Sequence, residues 1–511
     1  MSITQVTPTT TAAETSDTSC SAPVTLRSEL QSVRRHSLIY MVGPAFSNAI
    51  GFILIPVYTH YIDRAHYGVM SLVDVVMSVM MMILSLGISD GLTRFFYTTT
   101  DELQRRRLVS SAVFGPGLIT FPIVMATMFA SGAVCRLLGI DVSYKTYFGI
   151  SLAAAWFSMW AEIGYAYLRI CYMSKTFVAL TSLQIAASLS LNLYFVTRLG
   201  WGIWGICYST LIVQALVGTS LAVLIMAETR CLPRMTELRR LLGFSIHLVP
   251  STVALQMTNY LNLILLRWLL TGSSTLVLAQ VGLYSAGQKL GVVVNRFVTV
   301  PFQAFWRPRR MELAVQDTPD MRRILARMCT YATLVTCQFA LWISVGAAPV
   351  LKLLCDEDYW DAHRVVPLIA ASYVVLGLEH HFATGMHFAR RTHWATAIGA
   401  FALFTLIVAD IVLVPRYGMV AAAVATLLST SLRSSLFLAV SHHYHPIPFE
   451  LRRLTLAGLL ALAVYGLAVQ LCTFDSVWAT LACRLLVASS YLPVLRVTAC
   501  WQPIENEVTL S

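Results

Sequence analysis

From Ser37 almost to its C-terminus the sequence is a succession of apolar runs about 20 residues long, separated by short polar or basic stretches. A helix rising 1.5 Å per residue needs about 20 residues to cross a hydrocarbon core about 30 Å thick. No water is present there to satisfy the backbone, so runs of this kind cross as helices. Composition agrees: 57% of the 511 residues are hydrophobic and 12% charged, against about 25% charged in soluble domains. A net charge of +11 would point to nucleic acid in a soluble chain. Here the basic residues cluster between apolar runs, where they set topology, and no nucleic-acid partner is expected. The eleven cysteines are scattered, without CxxC or Cys/His spacing, and read as packing residues rather than metal ligands.

The expected fold is all-α: a polytopic membrane protein of about 14 transmembrane helices at 37–60, 68–92, 108–133, 147–168, 178–197, 201–227, 243–270, 278–305, 326–350, 365–389, 394–414, 418–440, 454–472 and 477–495. Residues 1–23 are rich in Thr, Ser and Ala and lack the apolar core of a signal peptide, so 1–36 reads as a disordered cytoplasmic tail. Alternate loops differ in Lys and Arg by roughly three to one. Arg105, Arg106, Arg107, Arg239, Arg240, Arg307, Arg309 and Arg310 fall on the rich side. The poor side carries the acidic run Asp356, Glu357, Asp358 and Asp361. That bias predicts a multi-pass protein of the cytoplasmic membrane with both termini cytoplasmic.

An internal repeat is visible. Residues 65–72 resemble 279–286, placing Gly68 opposite Gly282 and Asp74 opposite Gln288. Asn192, Arg198 and Gly200 recur 218 positions later as Asp410, Arg416 and Gly418. Two six-helix lobes are expected, at 37–227 and 243–440, in parallel repeat about an axis along the membrane normal. They are joined by a basic linker, 228–242, and followed by two extra helices within 454–495 and a cytoplasmic tail, 496–511.

Polar residues inside spans locate the chemistry, because a charge near the bilayer centre costs about 2.5–3.5 kcal/mol on insertion scales. In the eighth span Ser285, Gln288, Lys289, Asn295, Arg296, Thr299 and Gln303 share one helical face. The seventh offers Ser245, Thr252, Gln256, Asn259 and Arg267, and the second Ser71, Asp74, Ser78, Ser85 and Ser89. These stripes predict a hydrated central cavity, with interhelical hydrogen bonding as the alternative reading. Arg267, Lys289 and Arg296 form a cationic ladder suited to a phosphorylated ligand, with Gln288, Asn295 and Asn259 beside it. Pairing with intramembrane carboxylates is the competing explanation. Asp74, Glu162 and Glu379 are candidates for ion coupling. Three histidines of the tenth span, His380, His381 and His387, lack a second ligand cluster, so no metal or cofactor is expected. The Gly287-Gln288-Lys289 stretch lacks the spacing of a phosphate loop.

The segments FILIPVYTHYIDRAHYGVMSL and LGISDGLTRFFY, within 37–97, resemble the polysaccharide (O-antigen type) flippase family of the multidrug/oligosaccharidyl-lipid/polysaccharide exporter superfamily. Further echoes are VGLYSAGQKLG, FQAFWRP and LVPRYGMVAAAVAT. The seventh span departs from that pattern, with Leu266 before Arg267 where an Asp-Arg pair is frequent. The resemblance implies two lobes rocking around a cavity. The implied cargo is a polyprenyl-pyrophosphate-linked oligosaccharide, and the partners are the bilayer and other polysaccharide-assembly proteins. No catalytic residue is expected. Arg94 is then either a capture residue at the cytoplasmic mouth or an interfacial anchor. The rivals are a multidrug or peptidoglycan-precursor exporter of the same superfamily, and a membrane glycosyltransferase, polymerase or acyltransferase. The latter class usually needs a large outer loop, and the longest here is about a dozen residues.

Overall fold

The computed structural model describes residues 56–497 except 172, 247–248, 304–305, 308, 311–318 and 390–392. Most of the expected first span, 37–60, and both terminal tails lie outside the described residues. Everything regular among the described residues is helical, without a strand. In chain order the main helices are α1 (Arg64–Ser85), α2 (Ile88–Thr98), α3 (Glu102–Phe129), α4 (Lys145–Ile170), α5 (Ser174–Leu193), α6 (Ile203–Thr229) and α7 (Met235–Ser245). Next come α8 (Val249–Leu269), α9 (Ser274–Gly291), α10 (Pro319–Leu354), α11 (Val366–Phe382), α12 (His393–Tyr444), α13 (Leu451–Leu471) and α14 (Val477–Ser489). Short polar residues start several of them: Asp63 caps α1, Asp101 caps α3, Ser273 caps α9 and Ser476 caps α14, each accepting from an otherwise orphaned backbone N–H. Ten helical stretches among the described residues are long and apolar enough to cross a membrane.

Four expected spans are built differently from a single straight helix. The second breaks at Leu86 and Gly87, whose φ values of 50° and 64° are left-handed, so α2 starts on a new axis. Expected span 243–270 is α8, with residues 243–245 belonging instead to the end of α7, because the amphipathic 235–245 stretch forms a helix of its own. The 52-residue α12 covers both 394–414 and 418–440 and bends at Gly418 (φ 62°, ψ −139°). It is a hairpin: Ser429 Oγ donates to the Ala402 carbonyl at 2.6 Å, and Trp394 Nε1 to Tyr444 Oη at 3.2 Å. Gly202, before α6, adopts nearly the same conformation (φ 53°, ψ −128°). The backbone equivalent of Gly418 is therefore Gly202, two residues beyond the Gly200 expected from sequence.

The largest apolar core runs through α1, α3, α4, α6 and α9 and reaches the loop before α11. A separate cluster joins Leu334, Cys337, Leu341 and Val345 of α10 to Ala457, Val464 and Ala468 of α13, and to Ala488 and Tyr491 at the C-terminal end. The last two expected spans thus pack on the flank of α10. Their arrangement leaves the polar interior to the preceding helices.

Candidate functional site

The interior is organised by one helix crossing. A Cβ on Gly68 would collide with the Leu278 carbonyl oxygen and stand 3.2 Å from Gly282 N. A Cβ on Gly282 would collide with the Arg64 carbonyl oxygen and stand 3.1 Å from Gly68 N. Only glycine lets these backbones touch. One helical turn on, Ser71 Oγ donates to Ser285 Oγ at 2.7 Å. Arg64/Leu278, Gly68/Gly282 and Ser71/Ser285 are each 214 residues apart. Contacts that exchange i with i+214 in this reciprocal way are the mark of a local twofold axis. Partner numbers rise together on both helices, so α1 and α9 run parallel.

At one end of the crossing the chain is tied shut. Tyr359 Oη donates to the Ile62 carbonyl at 2.8 Å, its ring meets Tyr67 edge-on at 5.7 Å, and Arg64 pairs with Asp358 at 3.2 Å. Arg267 donates to the Gly139 carbonyl, and Trp268 Nε1 to that of Leu137 at 3.0 Å. Beyond the crossing opens a cavity of about 600 Å³. Its polar lining comes from α1 (Ser71, Asp74, Ser78), α4 (Tyr147, Ser151, Ser158) and α6 (Cys207, Thr210, Gln214). Facing these are Tyr260 of α8, Ser285, Gln288 and Lys289 of α9, Asn295 and Arg296 just after it, and Tyr373 of α11.

Lys289 and Arg296 therefore share a cavity with Asp74, Gln288 and Asn295, all sequence candidates. Lys289 Nζ donates to Tyr67 Oη at 3.0 Å and lies 4.7 Å from that ring's centroid, an anchor that fixes the ammonium at the wall. Arg296 is exposed to the cavity. Among the described residues no carboxylate stands within ion-pair distance of either cation, although Asp74 lies in the same cavity and interacts electrostatically with Lys289. Asn295–Thr299 is a π turn, which inserts an extra residue per turn and rotates the side chains beyond it. Thr299, expected on the same stripe, is consequently buried near Gly377 rather than in the cavity.

The other candidates go elsewhere. Arg267 does not line the cavity; its guanidinium caps Gly139, whose φ of 68° turns a carbonyl toward it, and also reaches Ser274 Oγ at 3.2 Å. Arg94 is exposed at the α2–α7 contact, 4.3 Å from the Phe244 ring centroid. Glu162 accepts from Ser89 Oγ at 3.4 Å. Glu379 is engaged by Arg433 at 2.7 Å, both side chains nearly buried. His381 is buried against Phe302, and His380 lends its carbonyl to Arg310. The side chains of Thr252, Gln256, Asn259 and His387 lie outside the described residues. Among those described, no cluster of His, Cys, Asp and Glu could hold a metal.

Asp410 stands out in the sequence as a repeat match and as one of the intramembrane carboxylates that could pair with the cations. Its side chain is fully buried in α12, and neither carboxylate oxygen has a hydrogen-bond partner among the described residues. The same helix supplies the Ala422 carbonyl and Thr426 Oγ1 to Asn262 Nδ2, which also reaches Tyr284 Oη at 3.0 Å. Asn262 Oδ1 is itself buried and unpartnered. A carboxylate left unsatisfied inside a bundle is costly, so it either takes up a proton or is met by something mobile.

Comparisons with known proteins place this architecture. The structure resembles the solved "Lipid II flippase MurJ, inward closed conformation", with a TM-score of 0.71 at 13% identity over 90% of this chain and 100% of that one. It also resembles an "Inward-facing conformation of a multidrug resistance MATE family transporter of the MOP superfamily". There the TM-score is 0.63 at 12% identity, over 80% of this chain and 97% of that one. At such identities the likeness concerns the fold alone. No curated protein sequence matches the chain. The profile described as "Polysaccharide biosynthesis protein" matches residues 33–313, more than half the length, and the chain belongs to that family.

Proposed function

We propose that this protein is a flippase that carries polyprenyl-pyrophosphate-linked oligosaccharide across the cytoplasmic membrane by alternating access. The observation that carries the reading is the pair Lys289 and Arg296, seven residues apart, facing one cavity with no carboxylate at ion-pair distance among the described residues, Asp74 being the acidic side chain that shares the cavity. Two cations match the charge of a pyrophosphate diester: Arg offers a planar fork for its oxygens and Lys a mobile point charge. The sugars would travel through the polar cavity while the lipid tail stays in the bilayer. Family membership in polysaccharide biosynthesis supports the cargo class. The two lobes, 37–227 and 243–440, would rock about the Gly68–Gly282 crossing, whose reciprocal contacts suit a symmetric hinge. Asp74 and Asp410 are the coupling candidates. A potential of 100 mV supplies about 2.3 kcal/mol per charge, enough to bias a charged headgroup.

The test is translocation of a fluorescent polyprenyl-pyrophosphate oligosaccharide in proteoliposomes by the full chain and by Lys289→Ala and Arg296→Ala. Wild-type transport that falls at least about tenfold in both variants is expected. If the wild type moves no such lipid under any gradient, the cargo is wrong. Efflux of cationic drugs instead would favour a multidrug exporter, which Asp74 in the cavity could serve.

A further inference from the structure

The proposed cargo has an anionic headgroup and a glycan, and the cavity walls differ in a corresponding way. The cations stand on α9 and the π turn beyond its end. The facing wall, built by α1, α4 and α6, presents Ser71, Ser78, Ser158 and Thr210 around Asp74, and its described lining residues include no cation. Those hydroxyl protons are already committed. Ser78 Oγ donates to the Asp74 carbonyl at 2.8 Å, Ser158 Oγ to Ala155 at 2.6 Å and Thr210 Oγ1 to Ile206 at 2.8 Å. Ser71 Oγ lies 2.8 Å from the Tyr67 carbonyl and 2.7 Å from Ser285 Oγ. What these groups offer the cavity is lone pairs. Gln214 and Tyr147 are the exceptions: Gln214 Oε1 is approached by Gln184 Nε2 at 3.5 Å, which leaves its amide hydrogens for a ligand, and the Tyr147 phenol beside Ser151 carries an O–H donor.

We infer that this acceptor-rich wall is the glycan subsite and that it selects oligosaccharides of uncharged sugars over those bearing carboxylates. The inference rests on the flippase reading and adds which glycan is taken. Sugar hydroxyls can donate to the wall's lone pairs. A uronic acid carboxylate can only accept, and on this wall it meets other acceptors and the Asp74 carboxylate. Like charges brought together in a cavity of restricted water discriminate strongly. With the pyrophosphate on Lys289 and Arg296, neither cation is left to balance a second anion.

The experiment compares initial translocation rates in proteoliposomes of two polyprenyl-pyrophosphate trisaccharides that differ only in carrying a hexose or a hexuronic acid. The neutral cargo is expected to move at least about tenfold faster. Asp74→Asn and, separately, Thr210→Lys should narrow that ratio by raising the rate of the acidic cargo. Equal wild-type rates, or a faster acidic cargo, would overturn the subsite. Should Asp74→Asn slow both cargoes alike, its carboxylate serves coupling, and Thr210→Lys then decides the wall: an unchanged ratio there refutes the selection. Failure of both cargoes in the wild type would instead remove the flippase reading itself.

Discussion

Asp410 poses the sharpest question at the scale of single residues, because its buried carboxylate has no hydrogen-bond partner among the described residues. If it meets a mobile cation during transport, neutralising it should separate stability from coupling. Asp410→Asn is expected to leave the melting temperature of the purified protein within about 2 °C of wild type, since a buried carboxyl without a partner is replaced by a neutral group of the same shape. The same variant should lose the dependence of transport on a cation gradient. A lowered melting temperature with gradient dependence intact would make Asp410 a structural group. Its importance was hardly legible in the sequence, where burial without a partner leaves no pattern. Lys289, Arg296 and Asp74 were legible because a charge inside an apolar run is costly enough to need a wet or paired environment. Arg267 is just as conspicuous in the sequence. Its partner, the Gly139 carbonyl, is 128 residues away on a loop, and no periodicity reveals that contact. Glu379 likewise finds Arg433, a pairing between α11 and α12 that only the packed bundle makes visible.

Helices were legible wherever composition and the 3.6-residue period decide, and less so where the backbone departs from them. The polar stripe of the eighth span holds through Arg296 and fails at Thr299, because the intervening turn is π and not α. The second span lost Ser89 from its expected face through the left-handed break at Leu86 and Gly87, while Ser85, ahead of the break, is buried and bonds the Met82 carbonyl. The crossing of α1 and α9 gives a test at this scale. In Gly68→Ala the added methyl meets backbone, which cannot rotate away, so overpacking should cost about 1–3 kcal/mol. Gly458 of α13 has open space where a Cβ would go, and Gly458→Ala should stabilise by up to about 1 kcal/mol through helix propensity. Thermal unfolding of the two purified variants would check the contrast. Equal tolerance of both would mean that α1 and α9 separate readily and do not form a hinge.

For the molecule as a whole, sequence periodicity supplied a helical membrane bundle, and the short match of 65–72 with 279–286 located its local twofold, where Gly68 meets Gly282. How the ends of the bundle close depends on loops. Arg64 and Asp358 seal one end together with Tyr359 and Ile62, and alternating access requires this end to open at some point in the cycle. The ion pair is exposed, so by itself it contributes at most about 1 kcal/mol. Arg64→Cys and Asp358→Cys, singly or together, should therefore leave transport in proteoliposomes close to wild type. Joining the two introduced thiols with a short bifunctional reagent should stop it, because a covalent tie holds the end shut where the salt bridge only biases it. The native chain treated with the same reagent controls for its own cysteines. Undiminished transport by the cross-linked double variant would mean that cargo never passes this end, and the opening would then have to be sought between helices on the side of the bundle.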